Sequence, residues 1–331
     1  MRSSVLLKFL LSYLKACFGI YAPVCCKIRI TQNCNSNCKH CFRHLHRKAD
    51  RELSTEEWKC AINKLIKSGS FLVIFVGGEP TLRQDLFEVA LYARQKGAYT
   101  GLITNGQYPG IINEKIDHCF NVVTFSVDGL RQQHDYYRGE GSFVRSLNNI
   151  QVLLRMRKRV KVHASFVIND ENYLCIPEYT AFCKTLGVDK IKFQPNFFPE
   201  YRVRDIRAFS GVIMETKNKY KNFIAGPVGY YRGMINFFQD HSAHQTCIHD
   251  DGFEIAVSSD GTLAQCSVPP NRYGVSPDFH APYNILTCSY KDIRSKKLSY
   301  RICNGCYRLD CFMFKNIFKT NIFQGIKALI P

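Results

Sequence analysis

Between residues 25 and 200 of this 331-residue chain, short apolar runs alternate six times with longer amphipathic stretches. The runs are Cys25–Thr31, Phe71–Val76, Tyr99–Thr104, Asn121–Val127, Lys161–Ile168 and Lys190–Phe193. Apolar runs of this length, bounded by Gly, Asn and Asp, read as buried strands. Between them the pattern predicts helices from Ser54 to about Lys67, over Asp85–Gln95, Ile111–Ile116, Ser142–Arg157 and Ile176–Leu186. Ser54 with Glu57 three residues on is a capping-box start, and Gly97 closes the second helix. Strand–helix alternation with short connections builds a parallel sheet, and right-handed crossovers curve six such units into an open barrel. Gly77-Gly78, Asn105-Gly106 and Asp128-Gly129 follow strand ends, where parallel barrels place their chemistry.

The loop 32–54 carries Cys34, Cys38 and Cys41 in a C-x3-C-x2-C spacing. Three thiolates on one short loop hold three irons of a cubane cluster and leave the fourth without a protein ligand. They equally suit zinc with an outside fourth ligand. A second group comprises Cys247, Cys266, Cys303, Cys306 and Cys311. Asp260-Gly261 is a hairpin turn signal between Glu254–Ser258 and Thr262–Gln265, which would bring Cys247 and Cys266 together. Cys303-Asn304-Gly305-Cys306 is a two-ligand knuckle, for iron–sulfur or for zinc. Cys17, Cys25, Cys26, Cys60, Cys119, Cys175 and Cys183 share no ligand spacing and read as structural.

Sixteen cysteines would suit a disulfide framework, yet no secretory signal is evident and several cluster with metal-like spacing. A reducing cytoplasm is the expected compartment. Hydrophobic residues make up 46% of the chain, enough for one large domain and a smaller one. The formal charge of +18 favours an anionic partner: a phosphorylated or nucleotide-linked substrate, nucleic acid, an acidic protein or an anionic membrane surface. Residues 1–24 combine an apolar run with Arg2, Lys8 and Lys15. They read as an amphipathic helix, packed on the main domain or lying peripherally in a membrane interface.

The Cys34/Cys38/Cys41 triplet, with His40 as the aromatic residue before its third cysteine, resembles the cluster motif of the radical S-adenosylmethionine (radical SAM) superfamily. The resemblance covers residues 25–200 and implies a partial (β/α)6 radical SAM barrel, an α/β fold, holding a [4Fe-4S] cluster. The open iron of that cluster chelates S-adenosylmethionine, a flavodoxin- or ferredoxin-type reductant supplies the electron, and cleavage gives a 5′-deoxyadenosyl radical that abstracts hydrogen from substrate. Gly77-Gly78-Glu79 resembles the family's GGE motif, which binds the cofactor's amino group, and Glu79 offers a carboxylate suited to an ammonium. Asn105, Ser126 and Arg138 resemble pocket-lining positions, with Asn169, Gln194, Phe42 and His40 as further cofactor contacts. The C-x13-G-x4-C element from Cys247 to Cys266 resembles the opening of the family's C-terminal SPASM and twitch domains. Only Cys311 follows the knuckle, short of the full SPASM set. The expected form is therefore a small Cys-rich twitch domain with one auxiliary [4Fe-4S] cluster on Cys247, Cys266, Cys303 and Cys306, Cys311 or Cys288 replacing one of them. This divides the chain into an N-terminal helix (1–24), a barrel (25–200), a connector (201–245) and an auxiliary-cluster domain (246–331). Asp128, Tyr136 and His249 are candidate bases, and the expected substrate is small and anionic or carbohydrate-like. A peptide or protein maturase is the alternative; a zinc-stabilised basic nucleic-acid-binding protein is the reading from another class, and the first two expect no nucleic acid.

Overall fold

The computed structural model describes residues 11, 23–41, 50–240, 254–264 and 283–295. The N-terminal helix expected over 1–24 lies outside these residues apart from positions 11, 23 and 24, as do Phe42, His249, Cys17, Cys247, Cys266, Cys303, Cys306 and Cys311. Six strands run in parallel in sequence order: β1 (Cys25–Thr31), β2 (Leu72–Gly77), β3 (Tyr99–Thr104), β4 (Val122–Ser126), β5 (Lys161–Ile168) and β6 (Lys190–Pro195). Their register is continuous, with Lys27 beside Ile74, Gly101, Val122 and Lys161 in turn. All six predicted strands are present to within a residue or two.

The connecting helices are α1 (Thr55–Ser68), α2 (Leu86–Gln95), α3 (Asn113–Cys119), α4 (Arg131–Arg138), α5 (Ser142–Met156) and α6 (Ile176–Leu186). Helix α1 opens on the full capping box, Ser54 accepting from the Glu57 N–H and Glu57 from the Ser54 N–H. Its buried Trp58, Ala61, Ile62 and Leu65 recur at helical spacing and lie against the sheet. The predicted Ile111–Ile116 helix appears as a 3-10 turn, Gly110–Ile112, running into α3. Helix α4 is the element that periodicity missed. Its sequence RQQHDYYR carries no apolar stripe, and only His134 and Tyr137 are buried.

Alternate strand residues divide between two faces. Ile28, Val73, Phe75, Leu102, Phe125, Phe166 and Phe193 form the apolar layer under the helices, where Phe166 lies 4.9 Å from Tyr179 of α6 and 5.3 Å from Phe193. The concave face carries Lys27, Arg29, Thr124, Ser126, His163, Ser165, Lys190, Lys192 and Gln194. Residues 201–245 contain α7 (Ile206–Lys219) and α8 (Val228–Asp240), whose Phe209, Ile213, Tyr230, Tyr231 and Phe237 join the same core.

The predicted hairpin forms, as β7 (Glu254–Val257) and β8 (Leu263–Ala264) around Gly261 at φ +87°. Its location extends the barrel: β7 pairs in parallel with β1, giving the order β6-β5-β4-β3-β2-β1-β7-β8. Lys27 and Glu254, both buried, close an ion pair of 2.8 Å across that seam. A short helix, α9 (Tyr290–Ser295), packs on α1. Among the described residues no helix is long and apolar enough to cross a membrane.

Candidate active site

The C-terminal ends of β1–β3 form one clamp around the cysteine loop. Thr31 donates to Glu52 at 2.9 Å, and the Gln32 N–H donates to the same oxygen at 2.6 Å. Arg83 ties that carboxylate to the strand below, donating to Ile30 O at 2.9 Å and to Leu53 O at 2.6 Å. From β2, the Gly78 N–H donates to Thr31 O (2.8 Å) and the Glu79 N–H to Asn33 O (2.7 Å). A Cβ at Gly77 or Gly78 would lie within 3.0 Å of the Thr31 or Asn33 carbonyl oxygen. The two glycines are thus required by the chain's own backbone, which approaches as closely as a ligand would.

Glu79 is buried, and its carboxylate is engaged by protein donors. Oε1 accepts from the Thr81 N–H (3.1 Å), Thr81 Oγ1 (2.7 Å) and Thr104 Oγ1 (2.8 Å), and Oε2 from the Asn105 N–H (2.7 Å). Burial pushes the carboxyl upward, and these hydrogen bonds oppose it. The carboxylate that the sequence offers to an ammonium also staples the ends of β2 and β3. Asn105 acts on the loop as well, donating from Nδ2 to Asn35 Oδ1 (2.7 Å) and Ser36 Oγ (3.1 Å). Gln107 completes the grip on Ser36 at 2.8 Å. Glu52, Arg83 and Gln107 went unnoticed in the sequence; Arg83 and Gln107 follow the ends of β2 and β3, whereas Glu52 lies in the loop ahead of α1.

The β4–β5 side meets the same loop through charge. Asp128 is fully buried. Its Oδ2 accepts from Arg138 Nε at 2.5 Å and lies 3.3 Å from His40 Nε2; Oδ1 accepts from the Val167 N–H at 2.8 Å. Burial pushes this carboxyl up, but Arg138, then His40 and His134, outweigh it and hold it below the usual range. The carboxylate fixes Arg138. The guanidinium Nη1 stands 3.9 Å from Cys38 Sγ and Nη2 3.5 Å from His40. Burial raises the Cys38 thiol and Arg138 opposes that, so a buried cation stands ready to balance a thiolate. His40 packs edge-on to Tyr137, 5.5 Å between ring centres, and burial lowers its pKa to about 4. The Lys39 N–H donates to Tyr137 O at 3.0 Å, so α4 is the second support of the cysteine loop. Tyr136, the second candidate base, is exposed with the Lys39 ammonium 3.3 Å above its ring.

Ser126 and Gln194 sit on the concave face at the ends of β4 and β6. Asn169 is buried and absorbed by its neighbours, its N–H donating to Asn172 Oδ1 at 2.7 Å and its Oδ1 accepting from Asn196. The structure therefore brings together Cys34, Cys38, Cys41, His40, Gly77, Gly78, Glu79, Asn105, Asp128 and Arg138. Cys288 is buried in the apolar core. Of the cysteines read as structural, Cys25, Cys26, Cys119 and Cys183 are buried, Cys175 is half-buried and Cys60 is exposed.

The loop fits the cluster that its spacing suggests. Cys34, Cys38 and Cys41 lie on one loop outside any disulfide, close enough for Cys34 and Cys41 to act electrostatically on Cys38. Among the described residues no three His, Cys, Asp or Glu side chains converge on a single ion, whereas the thiolates of a cubane each hold their own iron.

Comparison with known proteins agrees with this geometry. The family model described as the radical SAM superfamily matches residues 28–183. The chain is 37% identical over 158 residues to Fe-coproporphyrin III synthase of Methanosarcina barkeri, covering 45% of this chain and 38% of that protein. It is 34% identical over 170 residues to pre-heme d1 synthase of Dinoroseobacter shibae (49% and 40% covered). It is 35% identical over 175 residues to mycofactocin maturase MftC of Mycolicibacterium smegmatis (51% and 44% covered). The matches thus span less than half of each of these relatives. The solved structure of Streptococcus suis SuiB bound to precursor peptide SuiA shares the fold at a TM-score of 0.66 and 16% identity, over 87% of this chain and 68% of that one. Residues 28–183 are a radical SAM domain, and the relatives that share it are by name synthases and maturases.

Proposed function

We propose that the chain is a radical SAM enzyme acting on a small anionic substrate held on the concave face of the barrel. The observation that carries this is the double support of the cysteine loop, by the backbone of Gly77–Glu79 and Asn105 on one side and by Asp128, Arg138 and α4 on the other. Cys34, Cys38 and Cys41 would hold a [4Fe-4S] cluster. When bound, the cluster supplies the electron that cleaves S-adenosylmethionine, and with it the 5′-deoxyadenosyl radical that takes hydrogen from substrate. Arg138 compensates thiolate charge beside Cys38, and Asp128 keeps the guanidinium in place. Gly77, Gly78 and the Glu79 carboxylate, whose Oε2 accepts only the Asn105 N–H among the described residues, are the groups offered to the cofactor's amino group. A flavodoxin- or ferredoxin-type protein is the reductant class.

We assign Cys247, Cys266, Cys303 and Cys306 to one auxiliary [4Fe-4S] cluster, with Cys311 as the alternative ligand; Cys288 is less suited, being packed in the core. The localisation that goes with this chemistry is cytoplasmic, with peripheral membrane contact through residues 1–24 as a further option. A second reading, a peptide or protein maturase, draws on relatives that are maturases by name. The small-molecule reading draws on others that are by name porphyrin and heme synthases, and on the cations of the concave face.

The test is iron and sulfide per chain after anaerobic reconstitution, with EPR after dithionite with and without S-adenosylmethionine. Wild type is compared with the Cys34→Ala/Cys38→Ala/Cys41→Ala variant. About eight irons against about four, with a signal that S-adenosylmethionine perturbs only in wild type, supports both clusters. About four against almost none removes the auxiliary cluster. Zinc throughout would return the chain to the reading of a zinc-stabilised nucleic-acid-binding protein. A co-purified peptide would favour the maturase.

A further inference from the structure

We propose that an anionic group of the substrate, a carboxylate or a phosphate, docks on the concave face against His163 of β5 and Lys190 of β6, with Lys192 beside them. The proposal rests on the enzyme reading above and names the anchoring end of its substrate. His163 and Lys190 are direct partners across the β5–β6 ladder, and Ser165 and Lys192 are the next pair on the same face. Val162, Ala164 and Phe166, of opposite parity on β5, belong to the apolar core under the helices. The imidazole therefore points away from the helices, to the concave side.

His163 is 3% exposed, and neither ring nitrogen has a hydrogen-bond partner. Buried polar groups are almost always satisfied, and one left without partners marks a missing group. The charges that act on it most are Lys192, Lys190, Lys161 and Arg157, all cationic. Lys161 and Arg157 are already paired with Asp189. Asp189 also acts on Lys190, yet the Lys190 ammonium has no hydrogen-bond or ion-pair partner among the described residues. An incoming anion would accept from the ring N–H and from the Lys190 ammonium together, satisfying both.

The position suits an anchor. Thr124 is in register with His163, and Ser126 with Ser165. The anchor thus lies two residues, about 7 Å, below the level of Ser126 at the barrel mouth. Asp128, which fixes the cation beside Cys38, follows Ser126 by two residues. A substrate held by its acidic end at His163 would present its other end toward the cysteine loop.

The experiment is titration calorimetry of the full, reconstituted chain with inorganic phosphate and, separately, tricarballylate. It compares wild type, His163→Phe, Lys190→Ala and the surface control Lys158→Ala. S-adenosylmethionine cleavage is measured on the same samples, and the ring signals of 13C-labelled histidine are followed by NMR. One saturable site is expected, at least tenfold weaker in His163→Phe and Lys190→Ala and unchanged in Lys158→Ala. His163 should move toward its protonated chemical shift on saturation. Tighter phosphate or tighter tricarballylate identifies which anion the site takes. Absent saturation, or an equal loss in Lys158→Ala, overturns the proposal; should cleavage persist, the enzyme reading survives it. Absent cleavage in wild type would instead remove the reading on which the anchor rests. Lys190 lies half-exposed on β6, so its variant keeps the test sound if His163→Phe fails to fold.

Discussion

The two sides of the barrel mouth support the same loop by different physics. On the β1–β3 side, backbone meets backbone: N–H groups of Gly78 and Glu79 reach the carbonyls of Thr31 and Asn33, and two glycines leave no room for a side chain. On the β4–β5 side a buried ion pair, Asp128 with Arg138, meets the imidazoles of His40 and His134. The backbone part of the first arrangement depends on shape rather than on charge. The second depends on each charge keeping its partner, because an uncompensated buried charge is far more costly than a lost contact.

The largest effect should come from the charged side. Asp128→Asn leaves Arg138 buried without its carboxylate and should cost about 3–5 kcal/mol in urea unfolding of the cluster-free chain. Asp128→Asn/Arg138→Gln should recover much of that, and a double variant no better than the single would break the contrast. Next comes acid. The Asp128 N–H donates to His134 Nδ1 at 3.2 Å, which an imidazolium cannot accept. Burial, with Arg138 second, lowers the His134 pKa from 6.5 to about 4. The unfolded chain therefore binds a proton first as pH falls. The stability owed to neutral His134 is complete above pH 6.5 and declines through pH 4 by up to about 3 kcal/mol. In His134→Phe, stability should fall less steeply over that window; an unchanged slope would mean that His134 is not the titrating group.

Gly78→Ala tests the other side. Overpacking against the Asn33 carbonyl should cost about 1–3 kcal/mol, equally at pH 5 and pH 8, and a pH-dependent cost would blur the distinction drawn here. The smallest effect belongs away from the mouth: Ser54→Ala removes the cap of α1 and should lower stability by about 1 kcal/mol, with iron content after reconstitution unchanged.

The same contrast explains what the sequence disclosed. Strands β1–β6, α1 and its capping box were legible because burial imposes a period and a cap imposes a residue type. The cysteine spacing and Gly77-Gly78-Glu79 were legible because metal ligation and close backbone approach each tolerate few side chains. The protein donors of Glu79 were not: a carboxylate at a strand end looks the same with or without Thr81, Thr104 and Asn105 around it. Helix α4 lacked an apolar stripe, being held by His134, Tyr137 and the Asp128–Arg138 pair rather than by a hydrophobic face. The His163–Lys190 juxtaposition depends on cross-strand register, which no local pattern records.

The pairing of β7 with β1 has a consequence in time. β1, which leads into the cysteine loop, leaves the ribosome before its sheet partners, and the flank that β7 covers stays open until residues 254–257 follow more than 200 residues later. Until then that edge offers unpaired N–H and C=O groups to any other strand, and closing it draws together a very long loop. The strand that carries the chemistry is begun first and completed late, so a nascent or destabilised chain is most exposed to mispairing where it can least tolerate it.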